Sequence, residues 1–228
     1  GTAIQSLPGQ PAPIDVLQNL KTTGHLPQLY ASWAGRWVLL ANNELHLDAG
    51  GLLGCYYKNG SNGLEVSSVP GLIMGCHQPD TFRLIKSGGA EFYPPPDTGF
   101  RQVQKLLPSQ VLNLSTGVLT FRNLLCKAPA LDYKETIAFL AQLLTTTLKN
   151  AFVDNKHQKI TLALTGGFDS RTLMAALNYC GLPYQTVTFH SPNIRPSDAA
   201  IPKQLAQICG KEHRLIKRNE KNWENWEK

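Results

Sequence analysis

What the chain lacks narrows its class before any motif is read. No apolar run approaches the roughly 18 residues of a membrane-spanning helix. The start has no basic stretch leading into an apolar one, so neither a membrane span nor a secretory leader is read. Cysteine is sparse, five in 228 residues, with no C-x-x-C pair and no histidine-spaced set. That excludes a disulfide scaffold and leaves no zinc motif. Cys55, Cys76, Cys126, Cys180 and Cys209 are odd in number and widely spaced, which suits reduced, mostly buried thiols in a cytoplasmic protein. Charged residues are few at 17%, but 42% of the chain is hydrophobic, so it is globular rather than disordered. The net charge of +6 is dispersed: the densest basic stretch, Lys211 to Lys221, is interleaved with Glu212 and Glu220. No arginine–aromatic interleaving marks a nucleic-acid surface. The six histidines form no i, i+4 pair. His46 alternates within a strand and is expected at the surface, while His190 and His213 lie near predicted strand ends.

The most informative stretch present is residues 160–171. Ile160 to Leu164 are strand-forming, Thr165 to Ser170 make a small loop rich in glycine and hydroxyl, and Thr172 to Leu177 follow a helical pattern. Gly166 and Gly167 let backbone N–H groups crowd around an anion, Thr165 and Ser170 add hydroxyls, and the helix aims its positive end at the same spot. Asp169 would be poorly placed beside bare phosphate, so it is expected to hold a Mg²⁺ that bridges phosphates. No lysine follows the second glycine and the loop is short, so it is not a Walker A loop, nor is it G-x-G-x-x-G.

The texture changes along the chain. Residues 1–30 are rich in Pro, Gln and Thr, with a short helical pattern from Ile14 to Leu20. From Trp33 to Phe121 the pattern is β. A hairpin is predicted from Gly35–Ala41 and Glu44–Asp48 around Asn42-Asn43. Further strands are predicted at Leu53–Lys58, Leu64–Ser67, Thr81–Ile85, Phe100–Leu106, Val111–Leu114 and Val118–Phe121. Pro94-Pro95-Pro96 marks a surface loop. Lys127 to Ala130 reads as a linker, after which the period becomes 3.6. Asp132 and Glu135 form a capping-box signature for a helix with Ile137, Leu140, Leu144, Leu148 and Ala151 on one face. Then come the strand at 160–164, a helix to Cys180, the strand Tyr184–Phe189, the helix Ala199–Cys209 and the strand His213–Ile216. That alternation predicts a parallel, doubly wound sheet.

The loop Thr165-Gly166-Gly167-Phe168-Asp169-Ser170 resembles the S-G-G-x-D-S loop of the N-type ATP pyrophosphatases, the family of asparagine synthetase, β-lactam synthetase and GMP synthetase, with Thr165 in place of the first serine. The β-rich half is similar to the glutaminase domain of asparagine synthetases. Trp33 to Tyr57 resembles a stretch reading G-x-(F/W), a turn, L-x-x-D-x-x-G, then L-Y-Y; Leu64 to Leu72 matches the next strand and turn. Phe100 to Leu112 resembles the closing G-I-x-x-L-x-P-G-x-x-L, with Ser109 where glycine is common.

The resemblance implies an α/β protein: a degenerate, N-terminal-nucleophile-like β sandwich over 1–128, then the N-terminal part of a doubly wound parallel-sheet ATP pyrophosphatase domain over 129–228. It implies an AMP-forming, ATP-dependent, amide-forming ligase that adenylates a carboxylate, with ATP and Mg²⁺ as cofactors. Gly166, Gly167 and Ser170 would meet pyrophosphate, Thr165 a phosphate oxygen and Asp169 the Mg²⁺. Phe168 belongs to the same loop. Ala163 and Leu164 would flank adenine through backbone groups. Phe189 and His190 are second-rank adenosine neighbours. Asp198, where the family often carries an acidic residue, is either a further site residue or an N-cap.

Gly1-Thr2 opens the chain where glutamine-using members carry a nucleophilic cysteine, and Thr2 would serve only if Gly1 were removed. The reading is therefore nearer β-lactam synthetase, which forms amides without glutamine. A glutamine-dependent amidotransferase whose nucleophile is missing from this chain, and a non-catalytic nucleotide-binding or scaffold module, are the alternatives. The family's catalytic lysine and further acidic ligands would lie beyond Lys228, so this chain alone is expected to be inactive. It is also expected to pair with a second copy through the exposed edge of Ile160–Leu164. No nucleic-acid or membrane partner is expected.

Overall fold

The computed structural model describes residues 1–18, 26–61, 63–75, 78–80, 84–122, 130–154, 159–190 and 196–217. Expectations for Cys76, Cys126, the linker at 127–129 and the start of the strand at Thr81 lie outside them. The chain is mixed α/β and divides into two compact units: Gly1–Gln5 with Gly9–Pro129, and Ser6–Pro8 with Ala130–Lys228. Among the described residues no helix is long and apolar enough to cross a membrane.

The first unit runs β1 (Thr2–Gln5), α1 (Pro13–Gln18), α2 (Leu26–Leu29), β2 (Trp33–Arg36), β3 (Val38–Ala41), β4 (Glu44–Leu47), β5 (Tyr56–Gly60), β6 (Gly63–Ser67), α3 (Pro70–Met74), β7 (Ile85–Ser87), β8 (Ala90–Phe92), β9 (Gln104–Lys105), β10 (Gln110–Asn113) and β11 (Leu119–Phe121). The larger sheets are ordered β11-β10-β4-β3 and β6-β5-β9. Asn42 and Asn43 both have positive φ, 51° and 62°, the conformation a tight two-residue hairpin demands and asparagine tolerates. They set the register Ala41↔Glu44. Leu45, Leu47 and Leu112 of one sheet pack with Tyr57 of the other, joined by Cys55 and Leu106.

Helix α3, started by Pro70, interrupts the stretch read as β from Trp33 to Phe121, and three further expectations in this unit change. The strand from Gly35 breaks at Trp37, whose N–H donates to Asp48 Oδ2 at 3.3 Å instead of extending the ladder. The strand predicted over 100–106 shrinks to β9, because Val103 N–H bonds Phe100 C=O at 3.0 Å and the Thr98 hydroxyl holds the turn. His46 is not at the surface but fully buried. Its strand β4 lies inside a four-stranded sheet, and while Leu45 and Leu47 face one core, a second cluster of Leu26, Tyr30, Trp33 and Trp37 covers the side where His46 meets Tyr30.

The second unit runs α4 (Tyr133–Asp154), β12 (Ile160–Ala163), α5 (Phe168–Tyr179), β13 (Tyr184–His190), α6 (Pro196–Ile208) and β14 (His213–Lys217). The capping box forms reciprocally: Glu135 N–H donates to Asp132 Oδ1 at 2.8 Å and Asp132 N–H to Glu135 Oε2 at 3.0 Å. The three strands are parallel in the order β12-β13-β14, with Ile160 opposite Tyr184 and Thr186 opposite His213. Leu162, Leu164, Met174, Leu177, Leu182 and Tyr184 form the core, against which Leu148 and Phe152 of α4 pack. The predicted α4 face is thus buried only toward its C-terminal end; Ile137 and Leu140 remain exposed. A doubly wound sheet needs a reversal of strand order, and these three strands run in one direction without one.

Candidate functional site

Parallel strands and right-handed crossovers bring every strand's carboxyl end, and every following helix's amino end, to one edge of the sheet. Residues 164–171 lie at that edge. Leu164 is fully buried; its N–H donates to Val187 C=O at 2.8 Å, and its C=O accepts the Thr188 hydroxyl at 2.7 Å. Both backbone groups therefore already serve the sheet. Ala163, one residue earlier on β12, is exposed.

From Leu164 the chain turns through a hydroxyl clasp. Thr165 Oγ1 and Ser170 Oγ lie 3.0 Å apart, Thr165 N–H donates to Ser170 Oγ at 3.1 Å, and Gly167 N–H donates to Thr165 Oγ1 at 3.1 Å. The loop is closed by its own side chains. Helix α5 then starts at Phe168 with Gly167 as N-cap and no side-chain cap. The N–H groups of Phe168 and Asp169 precede the first intrahelical bond, so they stay available to an acceptor, and the helix dipole favours an anion there. Asp169 lies in that first turn. Phe168 is largely exposed, with the Arg171 guanidinium 4.5 Å above its ring and Arg171 Nε donating to Gly167 C=O at 3.2 Å.

Gly166 is where backbone space matters most. A Cβ added there would lie 3.0 Å from Asp198 Oδ1 and 3.4 Å from Ile201 Cδ1, so two residues of α6 pack onto the loop. Gly167 has an ordinary φ of −74°, and its nearest neighbour would be Thr165 Oγ1 at 3.2 Å. Asp198 is the third residue of α6, which starts at Pro196, so it is not the N-cap. Phe189 is exposed near the end of β13; His190 ends that strand, but its side chain lies outside the described set.

The loop residues Thr165 to Ser170 thus come together as one turn at the helix end, with Ala163 and Leu164 leading in. The reach of Asp198 and Ile201 onto Gly166 was not legible in the sequence at that precision. The signal was the strand–helix alternation, which puts the start of α6 at the same sheet edge as the start of α5. Among the described residues no three His, Cys, Asp or Glu side chains gather as a metal cluster.

No family model matches the chain, and no curated protein matches it. Among solved structures it is similar to the glutamine-dependent NAD+ synthetase from Acinetobacter baumannii in complex with adenosine diphosphate, at 18% identity and a TM-score of 0.34. The match covers 50% of this chain and 20% of that one. A likeness of that extent assigns neither fold nor activity, and the function rests on the loop.

Proposed function

We propose that the second unit, with boundaries at 129–228, is the ATP-binding part of an AMP-forming ligase that adenylates a carboxylate and forms an amide without glutamine, and that 1–128 is a degenerate glutaminase-like domain. The observation that carries this is the loop of Thr165–Ser170 between a parallel strand and an uncapped helix start. Free N–H groups at Phe168 and Asp169 suit a departing pyrophosphate, and exposed Phe168 and Phe189 offer apolar surface near a nucleoside. The donor set fits Mg²⁺ as well: oxygen ligands only, Asp169 in the first turn of α5 and Asp198 beside Gly166. Mg²⁺ is commonly held by one or two carboxylates plus phosphate oxygens and water. Held there, it would offset the charge that builds as the α–β phosphate bond opens. The chain's own residues do the positioning: the clasp fixes the loop, and Gly167 leaves its mouth open.

Cys55, the first cysteine, does not supply a glutaminase thiolate. It is buried, and burial pushes its thiol up to about 11. Isothermal calorimetry of the chain with ATP and Mg²⁺ tests the proposal. Binding should be measurable, Asp169→Asn should weaken it about tenfold or more, and Gly167→Ala, whose φ alanine accepts, should weaken it by filling the mouth. Equal affinity in the wild type and both variants would sink the assignment.

A further inference from the structure

Helices α4 and α5 pack side by side, and an open groove of about 810 Å³ runs between them. Along α4 it is lined at helical spacing by Ile137, Leu140 and Leu144, with Lys149 at the far end; Ala175 and Tyr179 of α5 stand opposite. From Ile137 to Lys149 this wall is about 18 Å long. Small side chains at Ala141 and Ala175 leave the gap between the helices unfilled. Ile137 and Leu140 are more than half exposed, 51% and 53%, so the groove presents apolar surface to water.

The hydroxyls in the lining do little to make it polar. Thr145 Oγ1 donates to Ala141 C=O at 2.8 Å and Thr172 Oγ1 to Phe168 C=O at 3.0 Å, each within its own helix. Among the described lining residues Lys149 alone carries a charge. It is exposed, and no ion pair to it is found among the described residues. The volume falls within the range of small-ligand sites, about 300–1,000 Å³. A protein partner would need a rim of free polar groups, about one hydrogen bond per 100–200 Å². These two threonines are already spent. What complements the lining is hydrocarbon along its length and one negative charge at one end.

We infer that the α4–α5 groove binds a long-chain carboxylate, with the alkyl chain along Ile137, Leu140 and Leu144 and the carboxylate at Lys149. No residue of the phosphate loop, 165–170, lines the groove, so this site stands whether or not nucleotide binds there.

Calorimetry of the full chain with octanoate, decanoate and dodecanoate, each below its micellar concentration, tests the inference, with circular dichroism to confirm folding. Affinity should rise about two- to fourfold for each methylene added. The wild type should prefer decanoate to decyltrimethylammonium at least threefold, and Lys149→Glu should reverse that order. Ala175→Trp, which fills the groove from an exposed helical position, should weaken decanoate at least tenfold. Affinity independent of chain length, or a charge preference unmoved by Lys149→Glu, would overturn the inference, as would absence of decanoate binding by the wild type. Light scattering in which Ala175→Trp breaks up a dimer that decanoate does not disturb would assign the groove to a second copy of the chain and overturn it too.

Discussion

At the scale of single residues, His46 shows how burial sets chemistry. Its ring is fully enclosed, Tyr30 Oη lies 3.0 Å from Nδ1, and the Arg122 guanidinium sits 5.0 Å from the Tyr30 ring. Glu44 Oε2, 3.3 Å from Nε2, would favour the imidazolium. Burial and the Arg122 charge outweigh it and lower the pKa to about 4. A histidine depressed in the folded state contributes stability above its unfolded pKa, and that contribution is lost as pH falls. The window runs from 6.5 down to about 4. The full loss is about 3 kcal/mol by linkage. Urea unfolding of the wild type and His46→Gln at pH 7 and pH 4.5 checks this: the wild type should lose more stability than the variant. Equal losses would show that folding does not lower the pKa of His46. Alternation alone gave the wrong face for His46, because period 2 says which residues share a face and not whether a second cluster covers it. Asp48, two residues on, is also buried, and its carboxylate accepts N–H groups from Gly50 at 3.0 Å and Leu52 at 3.2 Å.

Among the elements, helix α4 was the most legible. Asp132 and Glu135 announced its start, and both capping bonds form. Asp132→Ala should destabilise the second unit by about 1 kcal/mol, the usual worth of an N-cap. A thermal melt followed by helical circular dichroism would show it, and an unchanged midpoint would mean the cap contributes nothing. The helices after the loop were equally plain, since Gly181 and Gly210 end them with φ of 65° and 61°. The loop itself could be read as strand, turn and helix because its glycines and hydroxyls are contiguous. Its partner on α6 could not, since the approach of Asp198 depends on crossover geometry that no local window contains. The apolar stripe of α4 carried a similar ambiguity: the pattern placed Ile137 with Leu148, but only packing decides that Leu148 meets the core while Ile137 borders an open groove of about 810 Å³ shared with Tyr179.

For the whole molecule, the sheet order makes β12 an edge among the described strands. Ile160, Thr161, Leu162 and Ala163 carry no charge to deter another chain. The protein is expected to self-associate along this strand at high concentration. Light scattering should show species larger than the monomer, and Thr161→Lys, a charge on the edge, should reduce them. A monodisperse wild-type monomer, with β12 amides protected from hydrogen exchange, would show that the edge is covered in another way. Ser6–Pro8 belong to the second unit although they precede nearly all of the first in the chain. Ser6 Oγ lies 3.0 Å from Thr147 Oγ1, yet Ser6 leaves the ribosome long before any residue of α4. Its contacts must wait until the whole intervening β-rich unit has been synthesised. The completion of the second unit is therefore a long-range event, slower than helix α4 or the strand–helix pairs that follow it.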